Sequence, residues 1–305
     1  MTFAQIAPAP GRSPLAANIA CVGSMLVWAA GFPMADALLD HLPSVAVTTL
    51  RLAFATAFLL PIWYLADGGQ EMRAAPWRSG LLVGAVGLGL GALCLVYGQS
   101  WTDGITTAVI TATMPIVGIG LEWLFDGRRL GWRVLLGIVL SVGGGIAVYG
   151  ARMGHLDFGA GAAAILASTF VFAWGSRASV TRIPAMSALG RTTITMTGGA
   201  VLALAVQALL PLAGGPGIPW AAITPRDWAY LAFYGIGSMA ISQLLFLTGV
   251  AGLGIGVATM HINVAPLYVM LIALAFGDSW SWVQLAASIL VMLGVLIAQS
   301  RPPRP

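Results

Sequence analysis

Two polar side chains, His261 and Asn263, stand inside an apolar stretch that runs from residue 254 to 276. An ionisable or amide group in such a run is costly in lipid unless it faces a cavity or a partner. Both are therefore candidates for binding the carboxylate or amine of a small solute. A hydrogen bond between packed helices is the competing account. Residues two apart on a helix point about 200° away from each other, so the pair cannot share one narrow face. Pro266 removes a backbone donor and loosens the helix near residue 262, which marks a hinge; Pro115 stands in the same setting in an earlier stretch. Trp28 and Trp174 fall at mid-depth in two further apolar runs. Membrane tryptophans usually sit at the interfaces, so these two read as cavity walls able to stack on an aromatic group or cover a cation. Plain shape-filling is the alternative.

Tyr97 and Trp101 are four apart on one helical face and, with Gln99, read as an outer rim or an aromatic belt. Met239, Gln243 and Phe246, beside Ser242, form a mixed polar and apolar face. Thr111 joins the binding set with lower rank, because threonines in a helix often bond back to their own backbone. Glu122 and Asp126 are one turn apart with the same sign, which requires a cation from Arg128, Arg129 or Arg133, or a protonated acid. The protonated alternative makes Glu122, like His261, a possible coupling residue. Arg51 and Arg191 are explained by snorkelling toward the membrane faces. No catalytic motif and no metal-ligand cluster is present, so no enzyme, cofactor or metal is expected.

The elements that hold these residues follow from composition. Of 305 residues, 59% are hydrophobic and 8% charged, against roughly a quarter charged in soluble domains. That excludes a chain surrounded by water and predicts an all-α integral membrane protein. Ten apolar segments of about 20 residues are long enough to span a bilayer: 15–38, 44–66, 78–99, 104–125, 131–150, 159–181, 186–210, 227–249, 254–276 and 281–299. The first is too long for a cleaved leader. With a cytoplasmic N-terminus, eleven of the fourteen arginines fall on the cytoplasmic side, which orients the chain with both termini inside. The dispersed basic residues give no nucleic-acid patch. The lipid bilayer is the expected surrounding, and an inner membrane the expected location. Oligomeric state is not legible.

The chain also repeats. Gly104-Ile105, Thr111, Met114-Pro115, Asp126-Gly127 and Gly143-Gly144 return as Gly254-Ile255, His261, Ala265-Pro266, Gly277-Asp278 and Gly294. Trp28 pairs with Trp174, and Arg51 with Arg191. Five spans per copy force the second to insert upside down relative to the first, with a solute site where the copies meet. The expected units are a tail at 1–14, a five-helix repeat at 15–153, an inverted repeat at 154–299 and a tail at 300–305. Spans one, three, four, six, eight and nine are expected to line the cavity.

On Pro115, Pro266, Asp126-Gly127, Gly277-Asp278, Gly137, Gly143, Gly294, Arg51, Arg191, Trp28 and Trp174, the chain resembles the drug/metabolite transporter (DMT) superfamily in its ten-span EamA-type branch. Within that branch its embedded Trp, Tyr, Met and His look most like the YddG type of amino-acid exporter. The resemblance implies a secondary transporter that exports small metabolites by alternating access, with amino acids as partners. The aromatic and methionine-rich lining directs this toward neutral and aromatic amino acids. Many members carry Gly-Glu at the fourth-span exit; here Arg128 follows Gly127, so no role is carried over for that glutamate. Export of lipophilic cations or drugs, and a non-transporting receptor or scaffold, are the alternatives.

Overall fold

In lipid every backbone polar group must be satisfied within the chain, and the sequence meets this demand with helices alone among the described residues. The computed structural model describes residues 13–101, 110–127, 131–150, 159–275, 280 and 282–299. Six of its helices are long and apolar enough to cross a membrane: Pro14–Leu39, Ser44–Ala74, Trp77–Gly98, Ala160–Arg182, Ala188–Ala213 and Pro225–Leu253. The chain is a multi-pass membrane protein.

Locally the apolar segments are more broken than their sequences suggest. The first divides into α1 (Pro14–Ala29) and α2 (Phe32–Leu39) at Ala30-Gly31. Next comes α3 (Ser44–Ala74), which is interrupted at Gly68. The third segment is α4 (Trp77–Gly84), a π-helical turn (Ala85–Leu90) and α5 (Gly91–Ser100). Then follow α6 (Met114–Asp126), α7 (Trp132–Gly150), α8 (Ala160–Arg182) and α9 (Ala188–Leu209). The eighth segment repeats the third, with α10 (Pro225–Gly235), a second π-helical turn (Ile236–Ile241) and α11 (Ser242–Leu253). The ninth holds α12 (Ile255–Met260), a 3₁₀ turn (His261–Val264) and α13 (Ala265–Ala275). Last is α14 (Trp282–Gln299).

The packing comes in matched pairs. α1 lies on α11 as α5 lies on α8; α3 meets α9, α6 meets α12, and α7 meets α14. Small residues bring the backbones together. A Cβ added at Gly137 would meet Gly294 O at 2.7 Å, and one at Gly294 would meet Gly137 O at the same distance. Close crossings also fall on the π-helical turns. Gly87 touches Gly175 of α8 backbone to backbone, and Ser238 crosses α1 to donate to Val27 O (3.0 Å) and Trp28 O (3.1 Å).

α11 and α12 are joined by one residue, Gly254, at φ 83° and ψ 163°. That conformation is essentially confined to glycine, so Gly254→Ala is expected to cost about 1–3 kcal/mol. A lower melting temperature of the purified variant in detergent is the readout; an unchanged one would show that the junction is free to relax.

Candidate solute-binding site

The α4–α5 segment, α8, α9 and α11 border a buried recess with several polar groups. Val83 and Leu88 form one wall; Gly175, Ser176 and Ser179 of α8, Thr195 of α9 and Gln243 of α11 form the other. It contains about 160 Å³ of non-atom volume, too constricted to admit a water-sized sphere. Ser176, Ser179 and Thr195 are 3%, 1% and 2% exposed, so these hydroxyls act away from bulk water. Ser179 Oγ donates to Ser176 O (2.8 Å), and Thr195 Oγ1 to Arg191 O (2.8 Å) and Thr192 O (3.1 Å). Ser176 Oγ is buried without a hydrogen-bond partner among the described residues.

Along α8 and α11 this space adjoins an apolar cluster drawn from α1, α6, α8, α11 and α12. Met25, Met114, Ala173, Phe246 and Ala258 form its centre, and Trp28 and Trp174 pack against its edge. Phe246 stacks on Phe172 at 5.9 Å between ring centroids. The two tryptophans thus flank one core, as the repeat pattern implies. Trp174 covers a cation supplied by the chain itself, because the Arg182 guanidinium lies 5.3 Å from its ring. Met239 packs on a neighbouring cluster with Leu88 and Ala240.

Of the sequence-derived candidates whose side chains are described, only Gln243 lines the space. His261 has a partner at each ring nitrogen: Nδ1 bonds Val257 O (3.2 Å), and Nε2 lies 3.1 Å from Asn18 Oδ1 on α1. Asn263 Nδ2 donates to Ala112 O (3.0 Å), Ser141 O (3.1 Å) and Ser141 Oγ (3.1 Å), which pins the broken ninth segment to its neighbours. Tyr97 and Trp101 are 54% and 62% exposed and pair with each other, 6.0 Å between centroids. Thr111 is half-buried just ahead of the turn at Thr113. The Gln99 and Pro266 side chains lie outside the described residues. Pro115 falls in the first turn of α6, where the chain restarts after Thr113, and Pro266 is the second residue of α13. Both prolines mark real breaks.

Three expectations are corrected. Among the described residues the cation on Asp126 is Arg177 of α8, through Nε to Oδ2 (2.8 Å) and Nη2 to Oδ1, a partner the sequence reading did not name; Arg128 and Arg129 lie outside the described residues. Glu122 Oε1 instead accepts from Gly256 N (3.0 Å), capping the start of α12. The two acids diverge, because each binds a different helix of the second half. Nor do the paired arginines snorkel: Arg191 is 5% exposed, and the Arg51 guanidinium packs on Tyr234 at 4.9 Å from the ring centroid and donates to its hydroxyl. The sequence reading missed Ser176, Ser179 and Thr195. Their one signal was a run of small hydroxyl residues on segments otherwise read as packing surface.

Apolar spans, matched packing and a buried polar site without catalytic groups define a multi-pass membrane transporter. The chain belongs to the EamA-like transporter family of the DMT superfamily: the family's pattern matches residues 15–150 and again 160–299. It is a transporter, not an enzyme. It is similar to an uncharacterized transporter, YetK, of Bacillus subtilis (strain 168), with 24% identity over 95% of this chain and 87% of that protein. It is also 23% identical to a probable terminal-alkyne amino-acid exporter of Streptantibioticus cattleyicolor, over 92% of this chain and 93% of the other. A crystal structure 18% identical in sequence superposes with a TM-score of 0.76 over 94% of this chain and 97% of that one, showing the same fold.

Proposed function

We propose that this protein exports neutral and aromatic amino acids by alternating access, through a cavity between two inverted five-helix repeats. The observation that carries the reading is the buried recess with several polar groups beside an aromatic and methionine-rich core, where helices of the two matched segments meet. The equivalent pairs α1–α11 and α5–α8 support an inverted duplication; the ten spans and the cytoplasmic termini in this reading rest on the apolar segments and the arginine distribution of the sequence. In this conformation the recess is constricted, so transport requires the helices to part first on one side and then on the other. Breaks at Pro115, at Pro266 and at the two π-helical turns supply the hinges. A relative described as an amino-acid exporter fits this substrate class. An inner membrane is the location that accords with it. Lipophilic cations are less favoured, because the embedded acid Glu122 is engaged by the α12 backbone.

The test is uptake of radiolabelled phenylalanine by liposomes carrying the purified protein, with and without a pH gradient, competed by other amino acids, quaternary cations and sugars. Phenylalanine flux displaced by other neutral amino acids is expected. Flux of cations alone, or of none of these solutes, would defeat the reading. Trp28→Ala, Trp174→Ala and His261→Ala are each expected to lower flux severalfold at unchanged abundance, through the packed core or, for His261, through the tie to Asn18. Normal flux in all three would remove these residues from the transport path.

A further inference from the structure

The hydroxyls around the recess are not equivalent donors. A serine or threonine hydroxyl carries one proton and two lone pairs. Ser179 and Thr195 direct their protons into helix carbonyls, at Ser176 O and at Arg191 O and Thr192 O. What they can offer a ligand is lone pairs alone. Gln243 adds an amide, with an oxygen that accepts and an NH2 that donates, and the unpartnered Ser176 hydroxyl can do either. Among the described residues no charged side chain lines the space. The site is uncharged and richer in acceptors than in donors.

We propose that Ser176, Ser179, Thr195 and Gln243 form a subsite for the amino group of the transported solute. A primary amine or ammonium donates up to three hydrogen bonds and would enter this oxygen-lined recess only as the helices part during the transport cycle. A carboxylate only accepts, so Ser179 and Thr195 could offer it nothing and it would depend on Ser176 and Gln243 alone. The two π-helical turns give a second reason to place a ligand here. Leu88 lies within one, and Gln243 follows the other by two residues. Such turns widen a helix and re-aim the side chains beside them, and they concentrate at functional sites. The polar groups come only from α8, α9 and α11, while the α4–α5 side contributes Val83 and Leu88. One end of the solute is thus held by oxygens, and its remainder is directed toward the aromatic core.

The subsite deepens the transport reading and rests on it, so its test uses equilibrium binding and not flux. Thermal stabilisation of the purified protein in detergent would be measured with three probes: phenylalanine, phenethylamine and 3-phenylpropionate. Phenylalanine and phenethylamine are expected to stabilise, and 3-phenylpropionate not to. In Ser179→Ala with Thr195→Val, the concentration of phenethylamine needed for half-maximal stabilisation should rise about tenfold or more, as two hydrogen bonds are lost. Each hydroxyl bonds only its own helix, so the variants are expected to fold, which their unliganded melting temperature checks. Stabilisation by 3-phenylpropionate but not phenethylamine would overturn the subsite. So would an unchanged amine response in the double variant, or no response to any probe. Phenylalanine flux that persists in those cases leaves the transport reading standing while the subsite falls.

Discussion

Gly87→Ala and Gly175→Ala are each expected to cut transport about tenfold and to destabilise the protein by about 1–3 kcal/mol, the usual range for overpacking. The reason is geometric. A Cβ on Gly87 would lie 2.5 Å from Gly175 Cα, and one on Gly175 would lie 2.3 Å from Gly87 Cα. These contacts are with backbone, so no side chain can swing aside, and the α4–α5 segment must move off α8. The crossing walls the polar space, so displacement there alters both closure and the site. Gly120 is the internal control, because a Cβ there meets nothing within 4 Å. Gly120→Ala should be neutral or slightly stabilising, from the gain in helix propensity. Melting temperatures and liposome flux of the three variants decide the matter. Equal behaviour of Gly87→Ala and Gly120→Ala would mean the crossing is loosely packed.

Arg177→Ala is expected to destabilise by about 3–5 kcal/mol, since it strands a largely buried carboxylate. Arg177 and Asp126 are 12% and 21% exposed at their side chains, and the guanidinium also lies 5.0 Å from the Phe125 ring. The pair ties the exit of α6 to α8, one helix from each of the two matched segments. Removing both charges as Arg177→Met with Asp126→Leu should restore most of the stability, because a packed apolar pair in lipid avoids the desolvation cost. A thermal double-variant cycle measures this. Additive losses in the double variant would show that the two side chains act independently.

The apolar segments could be read from the sequence because length and hydropathy alone set them. Most described helices begin and end within a few residues of those readings, as with 188–209 against 186–210, but α3 continues to Ala74, past the expected end at 66, and α6 begins only at Met114. The breaks at Pro115 and Gly254 were also legible, since proline and glycine announce themselves. The π-helical turns were not: Ala85–Leu90 and Ile236–Ile241 contain only residues at home in any membrane helix. Partners of the charged groups were equally hidden, since Glu122 and Asp126 bind helices more than fifty residues away in sequence or, for Glu122, more than a hundred. Arg191 shows the same limit from the other side. Its position near a segment end suggested a wet guanidinium, and tertiary packing buried it. The central hydroxyls escaped notice because serine and threonine serve close packing as often as recognition.

Each π-helical turn contains one residue more than an ordinary helix would use. Deleting a single codon within Ile236–Ile241 would restore regular winding there and re-aim the side chains of that turn, two residues from Gln243. Insertions and deletions there would redirect several side chains at once, where a point substitution changes only one. Chain length at Ile236–Ile241 is thus a means of reshaping the recess that leaves the identity of its lining side chains unchanged.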